Sequence, residues 1–194
     1  MEKHSEYVNI GDRRIRNIKV AENHEPFIDL TQDNRIIVDT SKKQIYNGNR
    51  YYSYVRKGIH RKLMEAKNYL PEHISFFIKE GYRSPKLQKS LFQYYYPIFQ
   101  TKLKGLPEEL LYEEVCKYVA PVELAPHPTG GAVDLTLIDD DGNALEMGTE
   151  FNAEPAATNY ATYFDAANIS AEAKNNRAVL QNALERVGLV NYFT

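Results

Sequence analysis

HPTGGAVDLTL, His127 to Leu137, holds two side chains able to bind a metal, His127 and Asp134, on either side of a glycine pair. After Gly131 the chain alternates. Val133, Leu135 and Leu137 fall on one face and Asp134 and Thr136 on the other, the period of a half-buried strand. Asp134 is therefore expected to project from the face opposite the apolar one. Gly130 and Gly131 permit a tight bend before the strand, which could swing His127 back beside Asp134. Imidazole and carboxylate suit zinc, but catalytic zinc sites commonly take three protein ligands. The plainer alternative on spacing alone is a surface histidine beside a turn, followed by an edge strand with an exposed aspartate.

Working outward, the preceding strand–helix junction offers a third group. Residues 74–78 read as a buried strand that ends at Glu80-Gly81. Ser84 and Pro85 then mark a helix start, a hydroxyl cap followed by proline at the first helical position. Arg83 sits between the two, where functional side chains are often presented. The alternative is an arginine paired with a nearby carboxylate. Pro97 is expected to break or kink this helix. A helix opened by Pro107, Glu108 and Glu109 puts negative charge in its first turn.

The remaining elements are read the same way. Short strands are expected at residues 15–20, 36–38 and 51–55, with a turn at Asn47-Gly48-Asn49. A helix is expected over residues 58–70. Asp139 to Gly142 reads as a solvated turn leading back to Leu145-Glu146-Met147, without the alternating acids of a calcium loop. Residues 149–169 form a long loop of the kind that covers sites. Ser170 caps a last helix, Gly188 fits its C-terminal cap, and residues 189–193 would be a final strand.

Composition bounds the possibilities. The 194 residues suffice for one domain, and 24 basic against 26 acidic residues give no support for nucleic-acid binding through a broad basic surface. A single cysteine, Cys116, excludes an intramolecular disulfide and reads as a small core residue. No apolar run reaches membrane-spanning length, and the N-terminus has no hydrophobic signal region. The simplest location is cytoplasmic, with a periplasmic one after removal of an export signal as the alternative. No HExxH helix, GxSxG elbow or P-loop is present.

Four motifs in order resemble the D-alanyl-D-alanine dipeptidases of the vancomycin-resistance type, within the zinc DD-peptidases. They are GYR at Gly81–Arg83, HxxGxAxDLTL from His127, MGTEF at Met147–Phe151 and NNR at Asn175–Arg177. They span roughly residues 80–192, while residues 1–70 match poorly. The resemblance implies a single α+β domain, an antiparallel sheet with packed helices and a metal cleft over the sheet. Residues 71–194 would form its metallopeptidase-like core. It implies Zn2+ on His127 and Asp134, and Arg83 stabilising the oxyanion of the tetrahedral intermediate. The implied reaction is hydrolysis of D-Ala-D-Ala or a related peptidoglycan dipeptide, with a small D-amino-acid dipeptide as the partner and neither nucleic acid nor membrane.

The sequence also departs from the family. Ala125 stands where the family often has serine and Asn152 where it has aspartate, both at positions expected to contact substrate. The family's Glu-x-x-His segment supplies the general base and third ligand, and its register falls just past Thr194. No other residue is selected by spacing as the third ligand, although His4, His24, His60, His73 and several glutamates are candidates. The expectation is therefore an impaired enzyme. The alternative is a catalytically inactive relative acting as a binding or regulatory protein.

Overall fold

The computed structural model describes residues 8–42 and 49–192. His4 and the Asn47-Gly48 part of the expected turn lie outside the described residues.

The centre of the fold is strand β4, which the run ISFFIKE builds from Ile74 to Glu80. The first strands are β1 (Phe27–Asp29), β2 (Ile37–Val38) and β3 (Tyr54–Arg56), and β5 spans Asp134–Asp139. β4 pairs antiparallel with β5, and β2 lies parallel on its other edge, with Ile37 opposite Phe77. β1 and β3 form a separate antiparallel pair. The α+β class holds, but the one antiparallel sheet expected from sequence is instead a two-stranded sheet beside a three-stranded mixed one. Two-residue β2 is too short to carry a readable alternation.

The register of β4 on β5 slips near its end. Ile78 faces Leu135, whereas Glu80 faces Asp134. β4 thus carries one extra residue there, at Lys79. Such irregularities bend a strand and re-aim its side chains, often beside active sites.

Helices cover the sheet. α2 (Lys57–Ala66) and α5 (Ala171–Glu185) pack on it around Leu30, Val55, Leu63, Ala66, Phe76, Ile78, Leu137 and Ala183. Leu30 and Val55 come from the N-terminal portion, so that portion shares the main core. α3 (Pro85–Lys102) and α4 (Glu108–Cys116) enclose a second cluster of Phe99, Leu111, Val115 and Val119.

The local capping signals operate as the residue chemistry requires. Ser84 accepts the N–H of Leu87 at the start of α3, and Ser170 accepts that of Ala173 at the start of α5. Gly188, at φ +69°, follows α5 in the left-handed conformation.

Two expected strands do not form, and Pro97 does not break its helix. Residues 15–20 form no strand: Asp12 accepts the N–H of Arg14 and starts a single helical turn, α1 (Arg13–Arg16). Ile18 and Val20 remain exposed, so no partner surface draws them into a sheet. Pro97 lies inside α3, which continues to Lys102. Residues 189–192 form no strand; Tyr192 instead donates to the carbonyl of Cys116 at 2.9 Å. Among the described residues no helix is long and apolar enough to cross a membrane.

Candidate active site

The chain just past β4 is bonded backbone to backbone along the start of β3. Gly81 N–H donates to the Tyr52 carbonyl at 2.5 Å, and Tyr82 N–H to that of Tyr54 at 2.6 Å. A Cβ at Gly81 would run into the Tyr54 carbonyl oxygen. The glycine of GYR is therefore required by close backbone approach, independently of any chemistry.

The HPTGG turn docks against the same strands. His127–Thr129 makes one 3-10 turn, closed by Gly130 at φ +74°. Arg56 donates from its backbone N–H to the Gly130 carbonyl and from Nε to that of Thr129, each at 2.9 Å. The Phe27 ring fills the space that a Cβ on Gly130 would need. Phe27 in turn meets Tyr82 edge-on, with ring centroids 4.7 Å apart.

This docking fixes His127. Its Nδ1 lies 2.7 Å from the Gly81 carbonyl oxygen. A carbonyl only accepts, so the proton resides on Nδ1 and Nε2 turns toward Asp134. Nε2 and Asp134 Oδ1 are 3.5 Å apart. That is long for an N–H···O hydrogen bond. It matches the roughly 3.4 Å separation of nitrogen and oxygen ligands about 2.1 Å from one tetrahedral zinc. A ring held through its other nitrogen by a backbone carbonyl is also the usual support for a metal-bound histidine. The donor set present thus fits half of a zinc site.

The His127 side chain is 13% exposed and that of Asp134 38%, so the pair opens to solvent on the aspartate side. Burial alone pushes the His127 pKa down, but the Asp134 carboxylate outweighs it and the net shift is upward. Burial pushes Asp134 up, and His127 with Arg83 pulls it below the ordinary carboxylate range. The positive charge of Arg83 acts on both residues of the pair.

The backbone of Arg83 is tied to the same turn, its N–H lying 3.4 Å from the His127 carbonyl oxygen. Its guanidinium grips Glu80, Nε to Oε1 at 2.9 Å and Nη2 to Oε2 at 2.5 Å. Nη1 donates to Gln88 Oε1 at 3.0 Å. The structure thus brings His127, Asp134 and Arg83 to one place, and it also gives Arg83 the carboxylate partner that the alternative reading required.

The other two candidates sit differently. Ala125 is buried, at 4% exposure, and has little surface to offer a ligand. Asn152 lies on the exposed loop after Phe151 with φ +62°. Among the described residues no group of three or more His, Cys, Asp or Glu side chains could hold a metal ion. His60 is taken by Asp33 at 2.8 Å. Cavities of about 380 Å3 beside His60 and about 410 Å3 between α3 and α4 include neither His127 nor Asp134.

Sequence reasoning missed Glu80, Gln88 and Asn49 as parts of this arrangement. The spacing Glu80-x-x-Arg83 could have indicated the first. Asn49, 31 residues before Glu80, carries no local signal. The NNR motif has a structural task. Asn176 donates to the Glu146 carbonyl, and Arg177 donates to those of Met147, Ala161, Tyr163 and Phe164. Together they fasten MGTEF and the long loop to α5.

The family model described as D-ala-D-ala dipeptidase matches residues 27–194. The match begins at Phe27, well before the first motif, and so takes in β1 and β3. A search among curated proteins returned no match.

Proposed function

The chain belongs to the D-ala-D-ala dipeptidase family, and on that premise we propose that it is a zinc peptidase acting on D-Ala-D-Ala or a related peptidoglycan dipeptide. The observation that carries this reading is the 3.5 Å approach of His127 Nε2 to Asp134 Oδ1, with Nδ1 anchored on the Gly81 carbonyl. His127 and Asp134 are the proposed ligands. Zinc, when bound, acidifies water and polarises a carbonyl.

Arg83 has the task of holding negative charge as it develops on the scissile carbonyl oxygen. A guanidinium stays protonated throughout and, once fixed, needs no reorganisation as charge builds. Exposed Asn152 is the proposed point at which substrate preference departs from the family's, and buried Ala125 bears on it only by lacking a hydroxyl. The third ligand and the general base are proposed to come from outside the described residues.

The test measures D-Ala release from D-alanyl-D-alanine and zinc content. It compares the zinc-loaded chain with the same chain extended by a Glu-x-x-His segment in the family register. The expected result is one bound zinc, lost in His127→Ala, and turnover at least 100-fold faster with the segment present. Equal, zinc-independent release in both forms would refute the reading. Stoichiometric zinc with no release in either form would favour a binding protein.

A further inference from the structure

Arg83 could reach the His127–Asp134 pair in several rotamers if nothing held it, because a long side chain at a strand end keeps much of its freedom. Here two residues grip it, Glu80 and Gln88, and a third, Asn49, holds Glu80 in turn. Glu80 is fully buried, at 0% exposure, and Gln88 is at 2%. Both Glu80 oxygens face the guanidinium in the two-pronged geometry that matches its planar edge.

Glu80 is itself fixed. Asn49, 4% exposed, donates from Nδ2 to Glu80 Oε1 at 2.9 Å and to the Tyr82 carbonyl at 3.1 Å. Both partners are acceptors, so the orientation of the Asn49 amide is determined. Gln88 is determined likewise: Oε1 accepts from Arg83, and Nε2 donates to the Ala120 carbonyl at 2.6 Å. The extra residue in β4 just before Glu80 brings that carboxylate to this position opposite Asp134.

We propose that Glu80, braced by Asn49 and assisted by Gln88, is a positioning residue that sets the Arg83 guanidinium as the anion-holding group beside the His127–Asp134 pair. The arrangement rests on the zinc-peptidase reading for its substrate and on the geometry above for its mechanics. Catalytic groups lose much of their effect when displaced by about 1 Å, so the supporting residues should govern turnover more than substrate capture. Glu80→Gln places an N–H against a guanidinium N–H and loses one prong. Glu80→Asp keeps the charge but sets it back by one methylene.

The experiment uses the zinc-loaded full chain and a phosphinate analogue of D-Ala-D-Ala, whose tetrahedral anionic phosphorus resembles the hydrolytic intermediate. It reads the phosphinate Kd, the 15N–1H signal of Arg83 Nε, and kcat and KM for D-alanyl-D-alanine. The expected result is phosphinate binding weakened at least 10-fold and kcat lowered by about 100-fold in Glu80→Gln, with KM within threefold. Glu80→Asp should fall between, and the Nε–H signal should broaden in step. Asn49→Ala, which leaves Arg83 and Glu80 intact, should give a smaller loss of the same kind and covers the case in which Glu80→Gln does not fold.

Unchanged phosphinate affinity in folded Glu80→Gln or Asn49→Ala would overturn the proposal, as would an unsubstituted chain that does not bind the phosphinate. If the unsubstituted chain binds the phosphinate, the variants weaken that binding, and no form releases D-Ala, the positioning role stands and the dipeptidase reading falls.

Discussion

Arg83 and Arg177 are both removed from solvent, yet they are satisfied in opposite ways. The Arg83 side chain, 13% exposed, is met by a buried carboxylate and a buried amide. Arg177, 8% exposed, donates to four backbone carbonyls. Its pKa is lowered by burial, against which Glu146 acts. Backbone carbonyls spread along residues 147–164 make Arg177 a fastener for a loop. A single side-chain carboxylate makes Glu80 a handle that orients Arg83. Motif residues of the same type can therefore do different work, and the partner set tells which.

The sharpest way to break this comparison is to remove each arginine. Arg83→Ala strands Glu80 with no counter-charge in a fully buried position. We expect a stability loss of about 3–5 kcal/mol and a fall in kcat on D-alanyl-D-alanine of about 10²–10³, read by urea unfolding and steady-state kinetics. Loss of turnover with unchanged stability would mean that Glu80 does not depend on Arg83 for its charge balance.

Arg177→Met should cost less, about 2–3 kcal/mol, because water can reach some of the released carbonyls. The loop should become open to chymotrypsin at Tyr160, Tyr163 and Phe164, while zinc binding by the His127–Asp134 pair changes less than threefold. A change in zinc affinity as large as that in His127→Ala would erase the distinction between fastener and handle.

The same contrast explains what could be read from sequence. Ser84-Pro85 and Ser170 were legible because a cap is decided within three residues. The run of residues 74–78 was legible because four of its five side chains are apolar, three of them consecutive. His127 and Asp134 could be paired because glycines and a strand period lie between them. Their convergence, however, depends on the Gly81 carbonyl, which receives the imidazole from 46 residues away. Asn49 serves Arg83 only through tertiary structure, and Gln88, five residues on, through the strand-to-helix turn; neither leaves a periodic trace. The reading of residues 15–20 as a strand failed because apolar alternation needs a surface to bury against, and Ile18 and Val20 have none.

A third buried pair lies one residue from Glu80 and extends the comparison to pH. Lys79 Nζ is 2.9 Å from Asp39 Oδ2, with Phe77 beneath the ammonium, and Ser41 donates to Asp39 Oδ1 from both N–H and hydroxyl. Burial alone pushes the Asp39 pKa up, but Lys79 and Ser41 outweigh it and hold it below its ordinary value. The unfolded chain therefore binds more protons at this site than the folded one. The stability it contributes is fully present above about pH 4 and is lost as pH falls through the folded pKa. Asp39→Asn should remove that share of the acid slope. At neutral pH it should cost only about 1–2 kcal/mol, less than a fully buried pair, because the Lys79 side chain retains 10% exposure and can reach water. Unfolding curves for both proteins from pH 7 to pH 2 check this. They should lie furthest apart at neutral pH and converge toward acid; a constant gap would mean that Asp39 is held by its hydrogen bonds whatever its charge, in the manner of Arg177 on its carbonyls.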